Sequence, residues 1–426
     1  QRCRVAGLVF WGVGNSMCGI AGICALSRVE PRRIQANLDR AIRVMRNRGP
    51  SSSGPGFWES QTGATVALAS TRLAVLDLSE VGSQPMNSAD GRYQMVFNGE
   101  ITNYLELREE LKSHGMAFQS TGDSEVLLRS WEFWGPECLQ RLEGMYAFGM
   151  LDRRLATLSL CRDPFGIKPL FIGALGHEGI AFGSEIASVL PFFAARPKLN
   201  WTVATQYLAS GDYDDDQDSF IEKIKHLQPG SMMEIDLRSG QRRSAIAKWW
   251  PSIETDESLT LQHASRGVRD LLSASVERNL RSDVPVGFAL SGGIDSSAIV
   301  HLAQQVMPGL EPRTFSFVSP GSAVDESRWV QVARENLGGS WEQVAPQSTD
   351  LIEDLDDVIL CQGEPFSSTS IYAQYRVFQL MHESGIVVSL DGQGGDEVFA
   401  GYVGYPGQRS QSLVEAGQFL QAANFL

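Results

Sequence analysis

The sequence predicts two domains in series, an α+β domain with antiparallel hairpin strands and then an α/β domain built on a parallel sheet. Three observations carry this. At 426 residues the chain is too long for one ordinary core. In its first half short apolar strands alternate with turns, as in Met145 to Leu151, Asp152-Arg153-Arg154 and Ala156 to Cys161. Beyond Leu259 apolar strands alternate with segments of helical spacing, the pattern of a parallel sheet whose ligand site lies at the strands' carboxyl ends.

Composition narrows the function classes. Hydrophobic residues at 43% and charged residues at 20% are ordinary for a soluble globular protein. A formal net charge of -14, with no basic run to offset it, argues against nucleic acid as a partner. Cys3, Cys18, Cys24, Cys138, Cys161 and Cys361 include no Cys-x-x-Cys pair, and the six histidines do not cluster with them. Neither a zinc site nor a disulfide framework is expected, and a reducing cytoplasm is the expected location. No apolar run approaches the roughly 20 residues that span a bilayer, so no membrane partner is expected.

Gln1 to Ser16 loosely imitates a signal peptide, with Arg2 and Arg4 before Val5 to Val13, but its apolar part is short and no Ala-x-Ala site follows. We read it as a propeptide or upstream extension, which would make Cys18 the true N-terminus. A cysteine there has its own α-amino group, of ordinary pKa about 7.7 to 8, as a base for its thiol. The alternative is a small buried cysteine in the apolar strand that follows.

Leu68 to Val75 reads as a strand carrying one Arg72 in an apolar setting, and such a guanidinium fork suits an amino-acid carboxylate. Val96 to Ile101 reads as a strand with a tight turn at Asn98-Gly99. That pair is either a hairpin turn or an oxyanion hole, worth roughly 3 to 4 kcal/mol per donor. Asn103 with Glu106 predicts a helix start for Tyr104 to His114. Asp123 is either the cap of a helix over Val126 to Phe133 or a holder of an α-ammonium group. The aspartates after Gly211 read as a solvated loop, Trp249-Trp250 as packing at a domain junction, and Glu254 to Ser258 as a polar linker.

In the second domain Val268, Leu271, Leu272 and Val276 fall at helical spacing. The strand Val286 to Leu290 runs into Ser291-Gly292-Gly293, and helical spacing follows from Ile294 to Val306. Backbone N–H groups at such a turn, with the hydroxyls of Ser291, Ser296 and Ser297, suit phosphate at the positive end of a helix. Asp295 beside a phosphate implies a divalent cation between them. The turn is a nucleotide site or an ordinary βα turn rich in small residues. Val387 to Leu390 leads into a second glycine-rich segment, Asp391-Gly392-Gln393-Gly394-Gly395-Asp396, so Asp396 and Asp295 can face one magnesium-pyrophosphate group.

Five motifs carry a family resemblance. Cys18-Gly19-Ile20, Arg48-Gly49-Pro50, Asn98-Gly99-Glu100, Gly122-Asp123 and the run Arg162 to Leu170 resemble, in order and spacing, the glutaminase domain of N-terminal-nucleophile amidotransferases. The resemblance implies an αββα sandwich of two antiparallel sheets between helices. It implies that Cys18 attacks the side-chain amide of glutamine and that Asn98 and Gly99 stabilise the oxyanion. Arg72, Asn98, Glu100 and Asp123 would hold the substrate, and ammonia is the product. Phe182 to Glu185 would be structural. Asn47 and Ser51 depart from the family's His-Arg-Gly-Pro-Asp, in the loop over the pocket.

Ser291 to Ser296 resembles the Ser-Gly-Gly-x-Asp-Ser loop of ATP pyrophosphatases, and behind a glutaminase domain it resembles the glutamine-hydrolysing asparagine synthetase family. ATP and Mg2+ are then implied, with adenine and ribose against Leu290, Phe317, Asp391 and Gly392. Pyrophosphate would lie on Ser291, Gly292, Gly293 and Ser296, and magnesium by Asp295 and Asp396. Aspartate would be adenylated and then amidated by ammonia; a homodimer is compatible with this. Gln393 stands where many members have a glutamate assigned a proton-transfer role, and glutamine cannot act as a general base. Another acceptor carboxylate, in a cell-wall precursor or peptide, is therefore the alternative, and a binding protein or bare glutaminase is a third reading. The implied boundaries are 1–17 for the extension, 18–225 for the amidotransferase domain, 226–258 for a connector and 259–426 for a synthetase domain. Leu413 to Leu426 has a helix pattern that stops without an ending signal, and family members continue further, so that domain is expected to be incomplete.

Overall fold

A computed structural model of the chain describes residues 10–12, 17–26, 28–51, 54–211, 217–238, 245–251, 256, 258–322, 325–335 and 337–425. The first domain holds two six-stranded antiparallel sheets. One runs in the order Ile224–His226, Phe171–Ala174, Gly179–Gly183, Gly19–Ala25, Thr65–Thr71 and Gly56–Glu59. The other runs Ala245–Lys248, Ser231–Asp236, Thr157–Arg162, Gly144–Asp152, Tyr93–Ile101 and Met86–Asn87.

Central strands such as Gly19–Ala25 are buried on both faces, because each sheet is covered twice. Ile20, Leu68, Val96, Leu158 and Phe182 fill the space between the sheets. Ile34, Leu38 and Ala41 of the helix Pro31–Val44 pack on one outer face. Leu107 and Leu111 of Tyr104–Ser113, with Val126, Leu127 and Trp131 of Asp123–Trp134, pack on the other. The layers are therefore helix, sheet, sheet, helix, the αββα sandwich that the resemblance implied.

In the second domain the parallel strands lie in the order Val388–Leu390, Val286–Ala289, Arg313–Phe317 and Ser340–Val344. Phe10–Gly12, from the segment expected as a propeptide, pairs antiparallel with Val388–Leu390 at the edge. Val276 of Leu261–Asn279 and Ile299, Val300 and Ala303 of Ile294–Val306 pack with Phe288 and Leu390. Val377, Phe378 and Met381 of Ser370–Glu383 pack with Phe315. Among the described residues no helix is long and apolar enough to cross a membrane.

Local readings change in four places. Asn98-Gly99 is no turn; it sits inside the strand Tyr93–Ile101, opposite Ala147 and Tyr146. Asn103 precedes its helix, but its side chain bonds the Arg141 carbonyl at 2.9 Å and the Glu143 N–H at 3.0 Å instead of capping. Gly417, at φ +73°, splits the expected helix 413–426 into Tyr405–Glu415 and Phe419–Phe425. Residues 226–258, expected as a connector, supply two strands of the second sheet, so we propose that the first domain ends near Trp250. Trp249 stacks on Tyr146, with ring centroids 6.3 Å apart, and Trp250 meets Phe165 at 6.2 Å. The aspartate loop 212–216 and most of the linker 254–258 lie outside the described residues.

Candidate active site

Cys18, Arg72, Asn98, Gly99, Glu100 and Asp123 line one cavity of about 690 Å³, part of it open to solvent. Met17, Ser124, Lys168 and, from the second domain, Val387 and Val388 also lie in the wall. Cys18 stands at the head of a buried strand gripped from both sides. Arg48 Nε donates to the Cys18 carbonyl at 3.2 Å, while its Nη1 pairs with Glu185 at 2.9 Å. Ser184 Oγ accepts the Ile20 N–H at 3.0 Å and lies 3.5 Å from Asn98 Nδ2. Cys18 Sγ accepts the Leu73 N–H at 3.4 Å. Burial pushes the thiol up, and the Leu73 N–H works against it.

Gly99 is the residue the strand pairing demands. A Cβ there would lie 2.2 Å from the Met145 carbonyl oxygen, so a side chain would force the two strands apart. Glu100 follows, buried against the cavity, and burial pushes its carboxyl up to about 8, with the Asp123 charge adding to it. Asp123 opens its helix; its Oδ2 accepts the Ile101 N–H at 2.9 Å, and burial raises its carboxyl to about 6. Arg72 meets backbone rather than a carboxylate. It donates to the Ser79 carbonyl at 2.8 Å and to those of Leu76 and Asp77, which aims the guanidinium from the loop 76–79.

Lys168 is the cavity residue that sequence reasoning left without a role. Asp163 builds the turn that presents it, accepting N–H groups from Tyr146, Phe165, Ile167 and Lys168 at 2.9–3.2 Å. Arg162 binds the carbonyls of Gly166, Lys168 and Leu227 at 2.7–3.0 Å. The buried ammonium donates to Met17 Sδ at 3.4 Å, and burial, with Arg48 adding to it, lowers its pKa to about 8. A lysine inside an apolar Gly-Ile-Lys-Pro-Leu run was the available signal. The cavity thus brings two acidic and two basic side chains together beside a thiol.

The second cluster lies at the carboxyl ends of the parallel strands. Between Val286–Ala289 and the helix Ile294–Val306, Ser291 Oγ stands 3.0 Å from Ser296 Oγ and accepts the Gly293 N–H at 3.2 Å. The segment after Val388–Leu390 lies directly on this helix start. A Cβ on Gly392 would come within 2.6 Å of the Ser296 nitrogen, and one on Gly395 within 2.4 Å of Asp295 Oδ2. Burial, then the charges of Asp396 and Glu397, raise the Asp295 carboxyl. Asp391 is buried, which pushes it up to about 7, and its Oδ1 accepts the Gln393 N–H at 3.1 Å. Phe317 ends its strand half-buried at the same edge. Leu290 differs from expectation. Its side chain is in the core, its N–H bonds the Phe315 carbonyl at 2.8 Å and its carbonyl accepts Ser316 Oγ at 2.6 Å, so it supports the turn from beneath.

Residues 17–250, more than half of the chain, match the family model described as a glutamine amidotransferase domain. The chain belongs to the glutamine amidotransferase family. Residues 267–423 of this amidotransferase match the model described as asparagine synthase. A Mycobacterium tuberculosis protein provisionally named a glutamine-hydrolysing asparagine synthetase is 32% identical, over 91% of this chain and 61% of its own length. Asparagine synthetase 1 of Bacillus subtilis, also of the glutamine-hydrolysing kind, is 31% identical over 91% of this chain and 59% of its own. A Gibberella zeae protein named amidase chry2 is 26% identical over 94% and 61%. The amidotransferase thus spans about three fifths of the length of these curated relatives.

The buried Glu100 gives a stability prediction for the amidotransferase. Its folded pKa, about 8, lies above its ordinary 4.5, so its contribution to folding is present below 4.5 and lost as pH rises through 8. Glu100→Gln should therefore raise the unfolding free energy at pH 8 by about 1–3 kcal/mol and change it little at pH 5. Urea unfolding at the two pH values checks this; equal midpoints for the two proteins at pH 8 would refute it.

Proposed function

We propose that the chain hydrolyses glutamine at Cys18 and passes the ammonia to a carboxylate activated by ATP, with aspartate as the leading acceptor and asparagine as product. The observation that carries this is the gathering of Cys18, Asn98, Gly99, Arg72, Glu100 and Asp123 round one cavity whose far wall, Val387 and Val388, leads into the second cluster. In this reading the α-amino group released at Cys18 by cutting after Met17 takes the thiol proton. Sγ attacks the amide carbon, and the Asn98 side-chain amide with the Gly99 N–H receives the oxyanion. Collapse expels ammonia, and water then releases glutamate from the thioester. Asp123 and Glu100 would hold the α-ammonium and Arg72 the α-carboxylate. ATP would lie across Ser291, Gly292, Gly293 and Ser296, flanked by Phe317, Asp391 and Gly392.

The residues fit a magnesium ion. Asp295 and Asp396 repel one another beside the phosphate turn, and a divalent cation would relieve that repulsion. Among the described residues no group of three or more His, Cys, Asp or Glu forms a cage, but magnesium is usually held by one or two carboxylates plus substrate phosphates. Bound there, it would neutralise charge on the leaving pyrophosphate. A cytoplasmic location fits a sequence whose cysteines include no Cys-x-x-Cys pair.

A second reading rests on Gln393, exposed in the loop over the phosphate turn, which changes the group facing the acceptor and points to a different carboxylate. The chain incubated with glutamine, Mg-ATP and candidate acids separates the two readings. AMP and asparagine formed with aspartate support the first. AMP formed only with another acid transfers the assignment to that acceptor. No glutamate and no AMP with any acid would refute both.

A further inference from the structure

The loop from Val75 to Ser79 lies between the two halves of the molecule, and Asp77 at its centre has φ 54°. Aspartate tolerates left-handed backbone better than most non-glycine residues, and its polar contacts decide whether it is held there. Those contacts are present on every polar atom of Asp77. Its N–H donates to Asp283 Oδ2 at 2.8 Å, and its carbonyl accepts from Arg72 Nη2. Its Oδ1 accepts the Ser79 N–H at 3.0 Å, and its Oδ2 accepts the Thr121 N–H at 2.9 Å. Asp283 closes the clamp by donating its own N–H to the Val75 carbonyl at 3.0 Å.

Each end of this chain of bonds reaches a site. Thr121 precedes Asp123 by two residues, and Arg72 lines the same cavity as Asp123. Asp283 belongs to the segment between Leu261–Asn279 and the strand Val286–Ala289, which opens directly into the phosphate turn. We infer that Asp77 is a positioning residue of the glutamine cavity, tying Arg72 and the Thr121–Asp123 turn to the synthetase half through Asp283. The inference rests on the proposed glutamine hydrolysis. Arg72 and Asp123 hold the substrate's amino-acid end equally in ground and transition states, so loosening them raises KM and leaves kcat near its starting value.

Asp283 is the place to test this, because its carboxylate is exposed and its removal strands no buried charge. The domains stay joined in that variant. Arg281 bonds the Thr102 carbonyl at 3.1 Å and both Glu106 oxygens at 2.7 and 2.8 Å, and Arg278 pairs with Glu143. Steady-state glutamine hydrolysis by the full chain should show Asp283→Ala raising KM for glutamine about five- to tenfold, with kcat within about twofold. Asp283→Asn keeps an oxygen to accept the Asp77 N–H and should restore KM to within about twofold. If Asp283→Ala does not fold, Asp77→Asn, which places a donor against the Thr121 N–H, should give the same KM-only effect. A wild-type KM in the folded variants, with the unsubstituted protein active, would overturn the positioning role alone. An unsubstituted protein, processed to begin at Cys18, that leaves glutamine intact would overturn the glutaminase reading and this inference with it.

Discussion

Alanine in place of Cys18 should stop glutamine hydrolysis, with kcat/KM falling at least about a thousandfold. Among the described residues no other cysteine lines the cavity: Cys24, Cys138 and Cys161 are buried within the sandwich. Of the lining residues, the Ser124 hydroxyl lacks the α-amino base that the proposed mechanism gives Cys18, so it should not substitute for the thiol. Alanine also fits without strain, being smaller than the thiol and giving up two weak bonds to Leu73, from its N–H at 3.4 Å and to its carbonyl at 3.5 Å. Melting should therefore move little. Supplying ammonium chloride with Mg-ATP and the acceptor should bypass the loss, because the second cluster is assembled on its own sheet. Glutamate release and AMP formation, followed side by side, check both statements. Glutamate release undiminished in the variant would remove Cys18 from the mechanism.

The site was legible in the sequence where chemistry restricts residue type. A thiol, an Asn-Gly pair, a lone Arg in an apolar strand and an Asp at a helix start can be named without knowing how they meet, and the fold brings Cys18, Arg72, Asn98 and Asp123 to one cavity. What stayed hidden depends on tertiary context. Asn98-Gly99 carries the local signature of a hairpin turn, yet pairing with Ala147 and Tyr146 keeps it extended and turns the missing side chain into room for the Met145 carbonyl. Asn103 and Glu106 look like a helix start, but tertiary partners take both side chains: the Arg141 carbonyl and Glu143 N–H for Asn103, Arg281 for Glu106. Asp77 gives no sequence signal at all, since its importance lies in a backbone angle and in a partner 206 positions away. Lys168 was visible only as a charge in an apolar run; its burial depends on Asp163 folding the turn beneath it.

In the second cluster, Asp295→Asn should lower pyrophosphate release from Mg-ATP at least about a hundredfold while leaving the fold as stable or more so. Both halves of that expectation come from one crowded geometry. Asp295 stands on the first turn of the helix that begins at the phosphate loop, with the Gly392–Gly395 segment pressed against it and with Asp396 and Glu397 contributing like charge. Burial first, and these neighbours second, raise its carboxyl above the ordinary 3.8. A raised acid stabilises the folded state only while protonated, so its contribution is lost as pH rises through the folded value. At pH 8 the aspartate is a cost to folding, and asparagine of the same shape removes it. The cost is tolerable only if the charge has a partner during turnover, the magnesium-pyrophosphate group proposed here. Isothermal release of pyrophosphate and a thermal melt, made on the same preparation, separate the two contributions. Lost chemistry with an unchanged or higher melting temperature marks a charge kept for its ligand, whereas a lower melting temperature would show that Asp295 serves the packing of the two glycine-rich loops.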